Sequence, residues 1–245
     1  MDTRAAQPRI LAIVPALNEE RNVGNVVAQL RAHPRGIDVL VVDDGSADNT
    51  AAVARSQGAH VISLPFNLGI GGAVQTGFKY AQRHHYDIAL QVDGDGQHDV
   101  SEIDKLLQPL LVGAADVVIG SRYVGPATYR APLMRRLGMI IFSLVNSLII
   151  KQQVADNTSG FRAFNRRAID FLARDYPADY PEPEAVVLLG RSGFRLLEVP
   201  VQMHQRLHGH SSIDSFQAAY YMIKVLLAVL VDLFRYSPKR QEQVP

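Results

Sequence analysis

The sequence contains no cysteine and no tryptophan. Without cysteine there is no disulfide framework, no thiolate metal site and no thiol nucleophile, and a reducing compartment fits. Neither sign of charge dominates: 25 Lys and Arg stand against 24 Asp and Glu, a net +1. No whole-protein basic field therefore favours nucleic acid as a partner. No uninterrupted apolar run reaches the ~18 residues of a membrane span. The opening MDTRAAQPR is polar, so no signal peptide is expected. Internal repeats and low-complexity linkers are also absent. What is present is 245 residues, 47% of them hydrophobic and 20% charged, enough for one sizeable core or one domain with an appendage.

The first half alternates two periods. RILAIVP, IDVLVVD, AHVISL, DIALQVD and ADVVIG read as short buried strands. Between them, Glu19 to Ala32, Asp48 to Gln57, Gly71 to Arg83 and Ser101 to Leu111 read as helices, with Ser46 and Asp48 as cap candidates for the second and Gly58 as its stop. Strands apolar on both faces and separated by helices predict a parallel α/β sheet covered on both sides. PALNEE (15–20), DDGS (43–46), DGDGQ (93–97) and GSR (120–122) each follow a strand-like run directly. Ligands of open α/β sheets bind at the carboxyl ends of the strands, so this phasing predicts one convergent ligand crevice.

Each cluster has a plain structural alternative. Asp93 and Asp95 could be an ordinary solvated Asp/Gly turn; at a strand end, their carboxylates suit Mg²⁺ or Mn²⁺, with Gln97 as a neutral oxygen donor and His98 as an outer or weaker ligand. Ser46, Asp48 and Thr50 are normal around a helix start, but Asp43 and Asp44 are not needed there and could hold a ribose or base edge. NLGIGGA (67–73) could be a tight strand–helix turn or a phosphate loop lacking the Lys-Ser/Thr ending. Arg122 could be a surface cation or a fork for a diphosphate.

Together these motifs, with DNTSGFRAF (156–164), resemble the family 2 inverting glycosyltransferases of GT-A fold, and within them the dolichyl- and polyprenyl-phosphate sugar synthases. The usual D-A-D-x-Q-H-P of that subgroup reads DGDGQHD at 93–99; Gly for Ala and Asp for Pro loosen the loop and leave the metal positions in place. The resemblance implies a nucleotide-binding set of Pro15, Ala16, Asn18, Glu19, Asp43, Asp44, Gly69 and Asp93. It implies a metal site of Asp93, Asp95 and Gln97 for Mg²⁺ or Mn²⁺. Asp95, Arg122, Asp156 and Glu184 become the catalytic candidates, with Asp156 and Glu184 the carboxylates available if a general base is used. Ser159, Arg162, Arg135, Arg206 and Ser211 become candidates for the acceptor phosphate.

The expected architecture is a GT-A domain over residues 8–212, Rossmann-like and mostly parallel, followed by a C-terminal amphipathic helix over 213–236. The expected activity is sugar transfer from a UDP-, GDP- or dTDP-sugar to polyprenyl phosphate, peripherally at the cytoplasmic membrane face. Arg135 and Arg136 precede one apolar stretch, and tyrosines at 220, 221 and 236 flank another, as in interfacial helices. Core or dimer-interface helices are the alternative, which leaves homo-oligomerisation open. Rival readings are the same fold with a saccharide or other soluble acceptor, a non-catalytic nucleotide-sugar binder and, more remotely, a NAD-type dehydrogenase, although no G-x-G-x-x-G opens the first helix.

Overall fold

The computed structural model describes residues 7–124, 147, 149–178 and 180–204. Seven strands form one sheet in the order β3-β2-β1-β4-β6-β5-β7. The strands are β1 (Ile10–Ala16), β2 (Asp38–Asp43), β3 (His60–Ser63), β4 (Ile88–Gln91), β5 (Val117–Ser121), β6 (Arg162–Asn165) and β7 (Leu196–Pro200). The helices are α1 (Val23–Arg31), α2 (Thr50–Ser56), α3 (Gly69–Arg83), α4 (Ile103–Leu111), α5 (Arg166–Leu172) and α6 (Pro181–Arg191). This is the mostly parallel α/β architecture expected from the sequence.

Two apolar clusters cover the two faces of the sheet. One joins Leu11, Ile13, Leu40 and Val42 to α3, α5 and α6 through Val74, Phe78, Ile169 and Val186. The other joins Ala12, Val14, Val39 and Val41 to α1 and α4 through Val27, Leu30, Ile103 and Leu107. Successive strand residues point to opposite faces, so β1 and β2, covered on both sides, must be apolar on both faces, as the runs at 10–14 and 39–42 are.

Three details differ from the sequence reading. First, α1 starts at Val23 rather than Glu19, because the Glu19 carbonyl accepts both Asn22 N–H and Val23 N–H in a turn. Second, Ser46 does not cap α2; the Asp48 carboxylate accepts Thr50 N–H at 3.0 Å, and Gly58 follows the helix with φ at 83°. Third, β6 runs antiparallel between β4 and β5, so the sheet is not wholly parallel. Its sequence, RAFN, is too short and too polar at its ends to carry a strand signal. No helix among the described residues is long and apolar enough to cross a membrane. The proposed C-terminal helix and the region around Arg135 and Arg136 lie outside the described residues.

Candidate active site

The carboxyl ends of β1 and β2 are fastened to each other by their own polar side chains. Asn18 sits in a left-handed backbone conformation, φ 55°, which asparagine tolerates better than most residues. Its N–H donates to Ser46 Oγ at 2.9 Å and its Oδ1 accepts Ala47 N–H at 2.9 Å. Glu19 N–H donates to Thr50 Oγ1 at 2.8 Å, and Glu20 Oε2 accepts Asn49 N–H at 3.1 Å. Asp43 Oδ1 takes Ser46 N–H, and Asp44 Oδ1 takes Leu68 N–H at 2.7 Å, tying in the segment that opens α3. Gly69, the first residue of α3, has φ at 79°, a region in which a side chain would be strained. Pro15, Ala16, Asn18, Glu19, Asp43, Asp44 and Gly69 therefore lie along one edge, many of their polar groups holding the cradle in shape.

The acidic turn stands beside that edge. A Cβ on Gly94 would lie 3.2 Å from Pro15 O, so the turn passes tightly over the end of β1. Asp95, buried at 4% exposure, accepts Gln97 N–H on Oδ1 at 3.0 Å. Asp93 N–H donates to His98 Nδ1 at 3.1 Å, which leaves the ring proton on Nε2, 3.4 Å from Asp93 Oδ2. The His98 ring is buried and stacked on Phe161 with centroids 4.7 Å apart. Burial lowers its pKa against the opposing pull of Asp93 and Asp95, so it braces the turn as a neutral imidazole. Asp93 Oδ1 is buried without any hydrogen-bond partner. A carboxylate oxygen left in that state costs several kcal/mol. Two oxygen-donor carboxylates, one with an unmet oxygen, fit a hard divalent cation.

Gly160 presses on the same carboxylate. A Cβ there would lie 2.9 Å from Asp93 Oδ1 and 3.0 Å from Oδ2. The Gly160→Ala variant is expected to fold but to bind Mn²⁺ and nucleotide at least tenfold more weakly, since an ~1 Å displacement at a reacting centre costs on the order of 100-fold. Titration calorimetry checks this, and unchanged binding would show that the Asp93 carboxylate has room to move.

Arg122 and Asp156 form one unit. Arg122 Nε and Nη2 donate to the two Asp156 oxygens at 2.8 Å each, and Arg122 N–H adds a third bond to Oδ2. The Asp156 side chain is 0% exposed. A carboxylate so engaged has no accessible lone pair for an acceptor proton, which removes Asp156 from the general-base candidates. Glu198 on β7 was not singled out in the sequence. It accepts Ala155 N–H and Asp156 N–H, both at 2.7 Å, and burial raises its pKa against these bonds.

Arg162 is also not where an acceptor phosphate would need it. It is 1% exposed. Its guanidinium donates to the carbonyls of Ser159 (2.7 Å), Asn157 (2.9 Å) and Glu182 (2.9 Å). Ser159 is equally buried, its Oγ accepting Phe161 N–H within its own turn. Glu184 is buried in the first turn of α6. The neighbouring acid Glu182 feels Asp93 and Arg162; burial raises its carboxyl pKa and the Arg162 charge opposes this. Arg135, Arg206 and Ser211 lie outside the described residues.

The profile of Glycosyl transferase family 2 matches residues 11–172. A UDP-N-acetylglucosamine–dolichyl-phosphate N-acetylglucosaminyltransferase of Methanococcus voltae is 30% identical over 93% of this chain and 100% of its own length. A polyprenol monophosphomannose synthase of Mycolicibacterium smegmatis is 31% identical over 89% of this chain and 85% of its own. In fold, the chain resembles the crystal structure of Mycobacterium tuberculosis glucosyl-3-phosphoglycerate synthase in complex with Mn²⁺, UDP-glucose and glycerol 3-phosphate. The TM-score is 0.68 at 22% identity, over 91% of this chain and 80% of that one.

Proposed function

The chain belongs to glycosyl transferase family 2 and is a glycosyltransferase, and from that premise we propose that it moves a sugar, with inversion, from a nucleoside-diphosphate sugar to polyprenyl phosphate at the cytoplasmic membrane face. The observation that carries this reading is the pair Asp93 and Asp95 beside the cradle of Asp43, Asp44 and Asn18, one carboxylate oxygen still without a partner. Asp44, Asn18 and Glu19 would line the base and ribose, and Gly69 would let the chain pass close to the nucleotide. Asp93, Asp95 and Gln97 would hold Mg²⁺ or Mn²⁺, which when bound supplies Lewis-acid stabilisation of the charge developing on the diphosphate. Among the described residues no group of three His, Asp or Glu could hold an ion alone, so phosphate oxygens or water would complete the shell. The fold neighbour crystallised with Mn²⁺ and UDP-glucose supports that pairing.

The engagement of Asp156 by Arg122 favours an acceptor that needs no base. A sugar hydroxyl must lose a proton to a positioned carboxylate, and Asp156 is fully engaged with Arg122. A lipid phosphate is already anionic near neutral pH and needs only positioning. The two relatives at 30% and 31% identity are named for dolichyl and polyprenol phosphates. A soluble acceptor is the second reading, favoured by the fold neighbour named as a glucosyl-3-phosphoglycerate synthase; one fold serves many substrates. The test is transfer from UDP- and GDP-hexoses with Mn²⁺ to a short isoprenyl phosphate and to soluble sugars and phosphoglycerate. Product on the isoprenyl phosphate is expected. Transfer to soluble acceptors alone would replace the lipid reading with the second one.

A further inference from the structure

Behind the Asp93 carboxylate, on the α3 side of the sheet, a group of polar side chains faces inward. Gln91 on β4 is fully buried, and neither its amide nitrogen nor its amide oxygen has a hydrogen-bond partner. It lies opposite Arg162 in the β4–β6 ladder, so the two side chains share a face. Tyr176 packs on the same core, its ring 5.5 Å from Phe78, and its hydroxyl is likewise buried and unpartnered. Glu182, Arg162 and Asp93 all lie near enough for their charges to act on that hydroxyl. With Asp93 Oδ1, four unmet polar atoms belong to three residues around this spot. Buried polar atoms are almost always satisfied by protein, water or ligand, so this concentration marks a place that another molecule completes.

The charge around it decides what kind of molecule. Arg162 is the cation acting on Tyr176, and its guanidinium already serves three backbone carbonyls. Asp93 and Glu182 would repel an incoming phosphate or carboxylate. A neutral ligand rich in hydroxyls meets no such repulsion, and each hydroxyl both donates and accepts, matching an amide, a phenol and carboxylate oxygens. We propose that Gln91, Tyr176 and Glu182 line the subsite that reads the hydroxyls of the transferred sugar, with Gln91 and Tyr176 as specificity-determining residues. This rests on the glycosyltransferase reading above and extends it. The two relatives carry different sugars in their names, N-acetylglucosamine and mannose, so membership of the family leaves the sugar to be chosen by local residues.

Tyr176→Phe and Gln91→Met test it, because each removes polar atoms while keeping shape. Were these atoms merely structural, apolar isosteres would be neutral or stabilising and binding would be untouched. Affinities for a panel of UDP- and GDP-hexoses, and for free UDP and GDP, are measured with Mn²⁺ for wild type and both variants, alongside thermal unfolding. Expected is an unchanged or higher Tm, unchanged nucleoside-diphosphate affinity, and a roughly tenfold or greater loss for the preferred nucleotide sugar, about 1.4 kcal/mol. Wild-type selectivity among sugars on the same nucleotide should also shrink. Sugar affinity and selectivity retained in both variants would overturn the subsite, as would equal weakening of sugar-linked and free nucleotide. A wild type that binds no nucleotide at all would instead overturn the glycosyltransferase site itself.

Discussion

Replacing Asp95 with alanine is expected to abolish sugar transfer while leaving the fold standing. Asp95 is buried and two residues from Asp93, so the native state keeps two like charges close together. Removing one carboxylate relieves that repulsion. The hydrogen bond it accepts from Gln97 N–H is worth ~1 kcal/mol. In the proposed function, by contrast, the carboxylate is half of the anionic support for a divalent ion on the departing diphosphate. Several kcal/mol of leaving-group stabilisation should vanish with it. At 1.36 kcal/mol per decade, the expected loss is about 10³-fold or more in kcat. EDTA should abolish wild-type turnover and Mn²⁺ should restore it, while the Asp95→Ala protein should stay inactive at any Mn²⁺ concentration. Circular dichroism and thermal unfolding verify that the variant is folded. Full turnover in chelator would remove the ion from the mechanism.

Much of this site is legible in the sequence because its parts sit where the chain changes period. A run such as LVVDDG passes from buried strand to polar turn within a few residues, and that junction marks a strand's carboxyl end whatever the remote contacts are. β6 and β7 left no comparable mark. RAFN and LLEVP are short, and their strand character comes from pairing with β4 and β5, which lie far away in sequence. Glu198, which holds the backbone of Ala155 and Asp156, could not be seen for the same reason. Gln91 was hidden differently: one polar residue inside DIALQVD leaves the apolar pattern intact, and only burial on both sides shows that its amide is stranded. The polar residues of PALNEE and DDGSADNT were visible, but their mutual hydrogen bonds were not. The same side chains therefore both build the cradle and face the proposed nucleotide.

Arg162 is where the sequence misleads most, and its substitution is expected to be the most destabilising in the described part of the chain. The resemblance makes the arginine of SGFRAF a candidate for the acceptor phosphate, and arginine is almost never fully buried unless paired. Here the side chain is buried and its planar fork meets three carbonyls from two separate pieces of backbone. Two lie in the loop at 157–159 that precedes β6, and the third, at Glu182, opens α6. Arg162→Met would keep the bulk and strand three buried acceptors at ~1–3 kcal/mol each. A loss of about 4 kcal/mol or more is expected, a large part of the ~5–15 kcal/mol that holds a domain folded. Arg162→Lys separates this structural role from phosphate binding. A lysine ammonium could still attract a phosphate, but its compact charge cannot span three carbonyls placed for a fork. It should therefore destabilise nearly as much as methionine in urea unfolding. A lysine variant within ~1 kcal/mol of wild type, impaired only in acceptor KM, would return Arg162 to the acceptor. The destabilisation should also reach catalysis, because the loop that Arg162 fastens carries Asp156, the partner of Arg122, and Gly160, whose lack of a side chain leaves the Asp93 carboxylate its place.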